Sequence, residues 1–108
     1  MSADYSILVT TIDSGEKARE IARTALAARL AACVQVFPVS SHYVWQGETR
    51  EDAEVVVQMK LRTSDYAELA ALVRRLHSYD VPEILRLDIA EGDTAYLDWI
   101  AKTTRREQ

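Results

Sequence analysis

Residues 53–62 constrain this chain more than any other stretch. Ala53, Val55, Val57, Met59 and Leu61 alternate with Glu54, Gln58, Lys60 and Arg62, and only Val56 breaks the pattern. A period of two over this length specifies a strand with one buried and one wetter face. Just upstream, Trp45-Gln46-Gly47-Glu48 reads as a hairpin turn with Gly47 at positive φ. The partner strand is then residues 32–43, with Cys33, Val34, Val36, Phe37 and Val39. Pro38 cannot donate to a ladder, which places this partner at a sheet edge or at a bulge. Both strands are long for a chain of 108 residues, so the hairpin is expected to project beyond the core.

The rest of the chain supplies what this sheet needs to bury its apolar face. Residues 5–11 are a short β-branched run, read as a central strand. Asp13 and Glu16 stand at capping-box spacing, and Ala18, Ile21, Ala22, Ala25, Leu26 and Leu30 follow with helical periodicity. The alanines let that helix lie close to a sheet. Thr63-Ser64-Asp65 with Glu68 opens a second helix, whose stripe is Tyr66, Leu69, Ala70, Val73 and Leu76. Residues 84–90 read as a last strand. Gly92-Asp93-Thr94 then caps a short helix bearing Tyr96, Leu97, Trp99 and Ile100, and the polar residues 103–108 are expected to fray. The order β-α-β-β-α-β predicts an α+β chain, a ferredoxin-like sandwich with its helices on one face. The other face carries many valines, and partner subunits are its expected cover.

Composition narrows the function. The chain is expected to be one domain, 1–108, with a net charge of −4 that excludes a general nucleic-acid binder, since phosphates demand a basic face. A single cysteine excludes an internal disulfide framework and fits a reducing compartment. Met1-Ser2-Ala3-Asp4 has no positive n-region and Ile7-Leu8-Val9 is far too short for a span, so the expectation is a cytoplasmic protein without membrane insertion.

One loop is chemically dense. Residues 77–83 gather His77, Tyr79, Asp80 and Glu83, and Val81-Pro82 stiffens the chain beneath them. His77 follows a helix end, where it serves either as a partner of the helix dipole or as a metal ligand or acid–base group. Asp80 reads either as a turn residue or as a ligand-binding group beside Tyr79. Cys33 is either a small buried hydrophobe or a soft ligand. One Cys and one His are half of a tetrahedral set, so a closed structural zinc site within one chain is excluded. Tyr43 and Trp45, near the hairpin tip, are expected as interface anchors, and Lys60 as a cation facing a cleft between subunits.

Several of these segments resemble the CutA divalent-cation tolerance family. The matching pieces are Arg29-Leu30-Ala31-Ala32-Cys33-Val34, Tyr43-Val44-Trp45-Gln46-Gly47, Lys60, the loop from Leu76 to Ile84, and Tyr96-Leu97-Asp98-Trp99. The resemblance implies a tight homotrimer similar in architecture to the PII signal transducers, and a link to copper and other divalent metals. Two positions depart from it. Thr10 stands where some members have cysteine, and Ser78 where the loop usually has proline.

The resulting expectation is a non-enzymatic trimer with no tightly bound cofactor. It binds copper or another divalent cation weakly at His77 and Glu83, with Cys33 as the candidate third ligand. Lys60, Tyr79 and Asp80 line the cleft, and Tyr43, Trp45 and Trp99 lie at the trimer interface. The alternative is a PII-like signalling trimer that holds a small anionic metabolite in the inter-subunit cleft. An enzyme using His77 with Asp80 or Glu83 as an acid–base pair lacks any nucleophile motif or cofactor signature.

Overall fold

The computed structural model describes residues 3–106. The terminal residues Met1, Ser2, Glu107 and Gln108, which belong to the expected 1–108 domain and to the expected frayed tail, lie outside the described residues. At the centre, strand β1 (Tyr5–Ile12) runs antiparallel to β3 (Glu48–Arg62), from Tyr5 opposite Arg62 to Ile12 opposite Val55. This register puts two alternating patterns in phase. Ser6, Leu8, Thr10 and Ile12 share a buried face with Leu61, Met59 and Val57. Helices α1 (Gly15–Ala27) and α2 (Tyr66–Leu76) cover that face with Ala18, Ile21 and Ala25 from one and Leu69, Leu72 and Val73 from the other.

The edges are β2 (Cys33–Trp45) and β4 (Ile84–Asp88), giving the order β2-β3-β1-β4 with every neighbouring pair antiparallel. This is the split βαβ arrangement of the ferredoxin-like type. Pro38 is accommodated because β2 is an edge strand. The β2–β3 ladder continues past the end of β1, from Val39 opposite Glu54 to Trp45 opposite Glu48, a reach of roughly 20 Å at the usual rise per residue. The chain therefore measures 45 × 26 × 21 Å. Gln46 and Gly47 close the hairpin at φ 52 and 79, the positive pair a two-residue turn needs to match strand twist.

Three local expectations are corrected. Ser14, not Asp13, caps α1, accepting from Lys17 N at 3.3 Å, because Asp13 turns away to accept from Ser78 Oγ at 3.4 Å. The last strand stops at Asp88 rather than Ala90; Ile89 N still donates to Tyr5 O at 3.0 Å, where β1 begins. The third correction concerns the tail. Helix α3 (Thr94–Thr103), capped by Asp93, is followed by a fully buried Thr104 whose Oγ1 donates to Ile100 O at 2.8 Å. Arg106 then reaches Asp65 Oδ1 at 2.6 Å and Arg29 O at 2.8 Å. Asp65 was expected to open α2; it makes no cap bond there and is a buried carboxylate paired with Arg62 and Arg106. A charge in that position needs counter-charges, and this need docks residues 103–106.

Candidate functional site

The loop after α2 is held by its own histidine. His77 leaves the helix in extended conformation, and its imidazole turns back to the end of β1, with Nε2 2.8 Å from Thr11 O. Its Nδ1 accepts from Tyr79 N at 3.1 Å. A nitrogen that accepts an amide proton carries none, so the ring is the neutral tautomer that donates from Nε2 to Thr11 O. Both nitrogens are thereby engaged. As folded, His77 positions the loop and presents no free lone pair.

That clip fixes Tyr79. The two rings sit 4.8 Å apart between centroids, and Tyr79 Oη donates to Glu54 Oε2 at 2.8 Å. Burial, then the bond to Glu54 and the charges of Glu54 and Asp13, hold the Tyr79 phenol well above its ordinary range. On the hairpin, Tyr43 Oη donates to Asp52, and that bond is the first cause of a raised Tyr43 phenol. His42 Nδ1 lies 2.9 Å from Glu51 Oε1 on the opposite face of the ladder.

Between loop and hairpin opens a cleft of about 610 Å³. Its hairpin side includes Ser41, Tyr43, Trp45, Arg50 and Glu54, and its loop side Tyr79, Asp80, Val81 and Glu83. By register, Thr11, Glu54, Ser41, Tyr43, Trp45 and Arg50 all lie on the sheet face away from α1 and α2. Phe37, Val56, Leu85 and Leu87 continue that face beside the cleft, and the last two are about half exposed. Val56, the break in the alternation, belongs to this apolar patch opposite Phe37.

The predicted residues separate into two groups. Tyr79, Asp80 and Glu83 meet Tyr43 and Trp45 at the cleft. Cys33 and Lys60 do not; they face each other across β2 and β3 at the level of Ile7, about 13 Å along the strands from Thr11 and His77. There Lys60 Nζ donates to Gln35 Oε1, and Tyr96 from α3 approaches Cys33. Burial first, then Cys33, raises the Tyr96 phenol. Trp99 packs 5.5 Å from Tyr96 and is half exposed. Among the described residues no three His, Cys, Asp or Glu side chains form a group that could hold a metal ion. Glu54 and Arg50 do not stand out in the sequence as site residues. Both sit on the polar phase of β3, which looks like a solvent face until the register places it against the loop.

A four-stranded antiparallel sheet in ferredoxin-like order, with three helices and an acidic, aromatic cleft beside an uncovered apolar patch, defines a small α+β sandwich built around its open face. The chain belongs to the CutA1 divalent ion tolerance protein family, whose model matches residues 6–103. It is 44% identical to the divalent-cation tolerance protein CutA of Thermus thermophilus over 91% of this chain and 96% of that one. Among solved structures it is similar to the periplasmic divalent cation tolerance protein CutA of Archaeoglobus fulgidus, with a TM-score of 0.91 and 35% identity over 94% of this chain and 99% of that one. The structure of the divalent cation tolerance protein Cut A1 from Thermus thermophilus superposes with a TM-score of 0.89 and 43% identity, covering 94% of this chain and 99% of that one.

Proposed function

We propose that residues 1–108 act as a single non-enzymatic domain that assembles as a homotrimer and binds divalent cations, copper foremost, as cargo. The observation that carries this reading is the open cleft itself. It is lined by the carboxylates of Glu54, Asp80 and Glu83 and borders an apolar face that α1 and α2 do not cover. Carboxylates favour a cation, and because no complete donor set gathers within one chain, binding is weak unless a neighbouring copy adds to it. In this reading Asp80 and Glu83 are the donors and His77 orients them. Cys33 stands apart, and Tyr43, Trp45 and Trp99 face the neighbouring copies. Support for the PII-like alternative is thinner. Its anion would meet three carboxylates and one cation, Arg50, since Lys60 lies elsewhere.

The compartment in this reading is the cytoplasm. No helix among the described residues is long and apolar enough to cross a membrane, and one relative, from Archaeoglobus fulgidus, is described as periplasmic. Cell fractionation separates the two locations.

Calorimetric titration with Cu(II), Ni(II) and Zn(II) tests the site. Copper binds most tightly, following the general order for oxygen and nitrogen donors, and Asp80→Asn with Glu83→Gln weakens it about tenfold or more. His77→Ala lowers the melting temperature more than it lowers copper affinity. A copper isotherm unchanged in the Asp80→Asn, Glu83→Gln protein overturns the assignment.

A further inference from the structure

We infer that Ser40 is a nucleophile that accepts an acyl group from activated esters, with His42 as its base and Glu51 as the residue that positions the base. The inference goes beyond cation binding and does not depend on it. All three residues lie where the β2–β3 ladder runs past the end of β1. Alternation along β2 puts Ser40 and His42 on one side of the ladder, and the register sets Glu51 directly opposite His42. That side faces away from Tyr43 and Trp45. The three side chains therefore stand apart from the carboxylates and rings assigned to the cation and to neighbouring copies.

The hydrogen bonds give each group a role. His42 Nδ1 lies 2.9 Å from Glu51 Oε1, and Nε2 lies 3.4 Å from Ser40 Oγ. An ionised carboxylate only accepts, so Nδ1 carries the proton of the neutral ring. Nε2 is then the bare nitrogen, and the Ser40 hydroxyl donates to it. Hydroxyl to imidazole to carboxylate is the order of contacts that activates a serine. The Ser40–His42 distance is slightly longer than the about 2.6–3.2 Å of an engaged pair, as is common before a substrate arrives. Ala53, opposite Ser40, has no side chain beyond Cβ, which leaves Oγ open to approach.

Exposure sets the class of donor. Ser40 is exposed, and the side chains of His42 and Glu51 keep 59% and 71% of their accessible surface. So open a site gives a developing oxyanion little beyond water, and the donor must bring its own activation, as a thioester or an aryl ester does. In the transfer, Oγ attacks the acyl carbon while its proton passes to Nε2. The tetrahedral adduct expels the thiolate or phenolate, which takes that proton, and His42 is neutral again. An acyl C–O bond to Ser40 has formed and the acyl bond to the leaving group has broken, with no change of oxidation state. The product is a modified chain, which is compatible with a domain that is not an enzyme.

Incubation of the full chain with p-nitrophenyl acetate tests this, read by nitrophenolate release and by peptide mass spectrometry. Acetate is expected on the peptide that carries Ser40, with fragmentation placing it there rather than on Ser41. The adduct is an ester that alkaline hydroxylamine removes, whereas an acetylated lysine is an amide and survives. Ser40→Ala abolishes it. His42→Ala slows its formation at least about tenfold, and added imidazole restores part of the rate. Glu51→Gln also slows it, yet adds nothing in the His42→Ala background, because Glu51 acts only through the ring. The three positions are exposed, and unchanged far-ultraviolet dichroism checks that each variant is folded. Acetate on lysines alone, a Ser40 adduct that forms as fast in His42→Ala as in the wild type, or equal slowing by Glu51→Gln in both backgrounds overturns the inference.

Discussion

At the scale of single residues, two buried side-chain polar atoms among the described residues lack a hydrogen-bond partner, Thr10 Oγ1 and Arg62 Nε. Thr10 is 0% exposed on the helix-covered face of β1, and its Oγ1 has no hydrogen-bond partner. A buried, unpaired hydroxyl costs about 1–3 kcal/mol, whereas a methyl of the same shape costs nothing there. Thr10→Val is therefore expected to raise stability by about 1 kcal/mol, read as a higher urea midpoint at unchanged slope. Tyr79 gives a pH-dependent counterpart. Its phenol is raised above 10.0 in the folded chain, so the folded state holds that proton more tightly than the unfolded one. Its contribution is fully present below about pH 10 and is lost as pH rises through the folded value. Tyr43 and Tyr96 shift in the same direction. Alkaline titration of stability is expected to fall less steeply in Tyr79→Phe than in the wild type, and identical slopes would contradict the environment described for this ring.

At the scale of elements, the hairpin shows how far local chemistry carries. Its turn residues have positive φ at Gln46 and Gly47, and nothing lies within 4 Å of a Cβ built on Gly47. Any cost of Gly47→Ala is then conformational rather than steric, about 1 kcal/mol, and it appears as fraying of the hairpin tip in hydrogen exchange before the core opens. The strands, helices and turn were legible because each is encoded in short-range periodicity or in one residue's backbone freedom. The docked tail was not. Arg106 reads as one more polar residue near a chain end, and its structural role comes from distant partners, Asp65, 41 positions earlier, and the carbonyl of Arg29. The same limit governs the site. Tyr79, Asp80 and Glu83 were visible as a dense loop, but Glu54 enters the site through its bond to Tyr79, and Lys60 leaves it by lying nearer Cys33 than Thr11. His77 stood out by its chemistry, yet its two backbone bonds can be read only from tertiary structure.

At the scale of the whole molecule, one face of the sheet is what the proposed assembly would cover. Leu85 and Leu87 on β4, Val56 on β3 and Phe37 on β2 lie on the face opposite α1 and α2. Helix α3 covers only the end of that face near Arg62, where Arg62 Nη2 donates to Thr104 O at 3.0 Å. A chain this small has little surplus stability, and an uncovered apolar patch beside a projecting hairpin is where a second copy gains most from burial. Leu87 is the informative position because it is half exposed in the single chain, so a charge there costs the monomer little. In the proposed trimer the same charge would be buried without a partner, which is strongly unfavourable. Leu87→Glu is therefore expected to sediment toward the mass of one copy while keeping its far-ultraviolet dichroism, whereas the wild type sediments as three. The wild-type melting temperature should rise with concentration, and that of Leu87→Glu should not, because only an assembling chain is stabilised by mass action. A wild type that sediments as one copy with a concentration-independent melt would leave the open face without a second copy to cover it, and the trimer would fall.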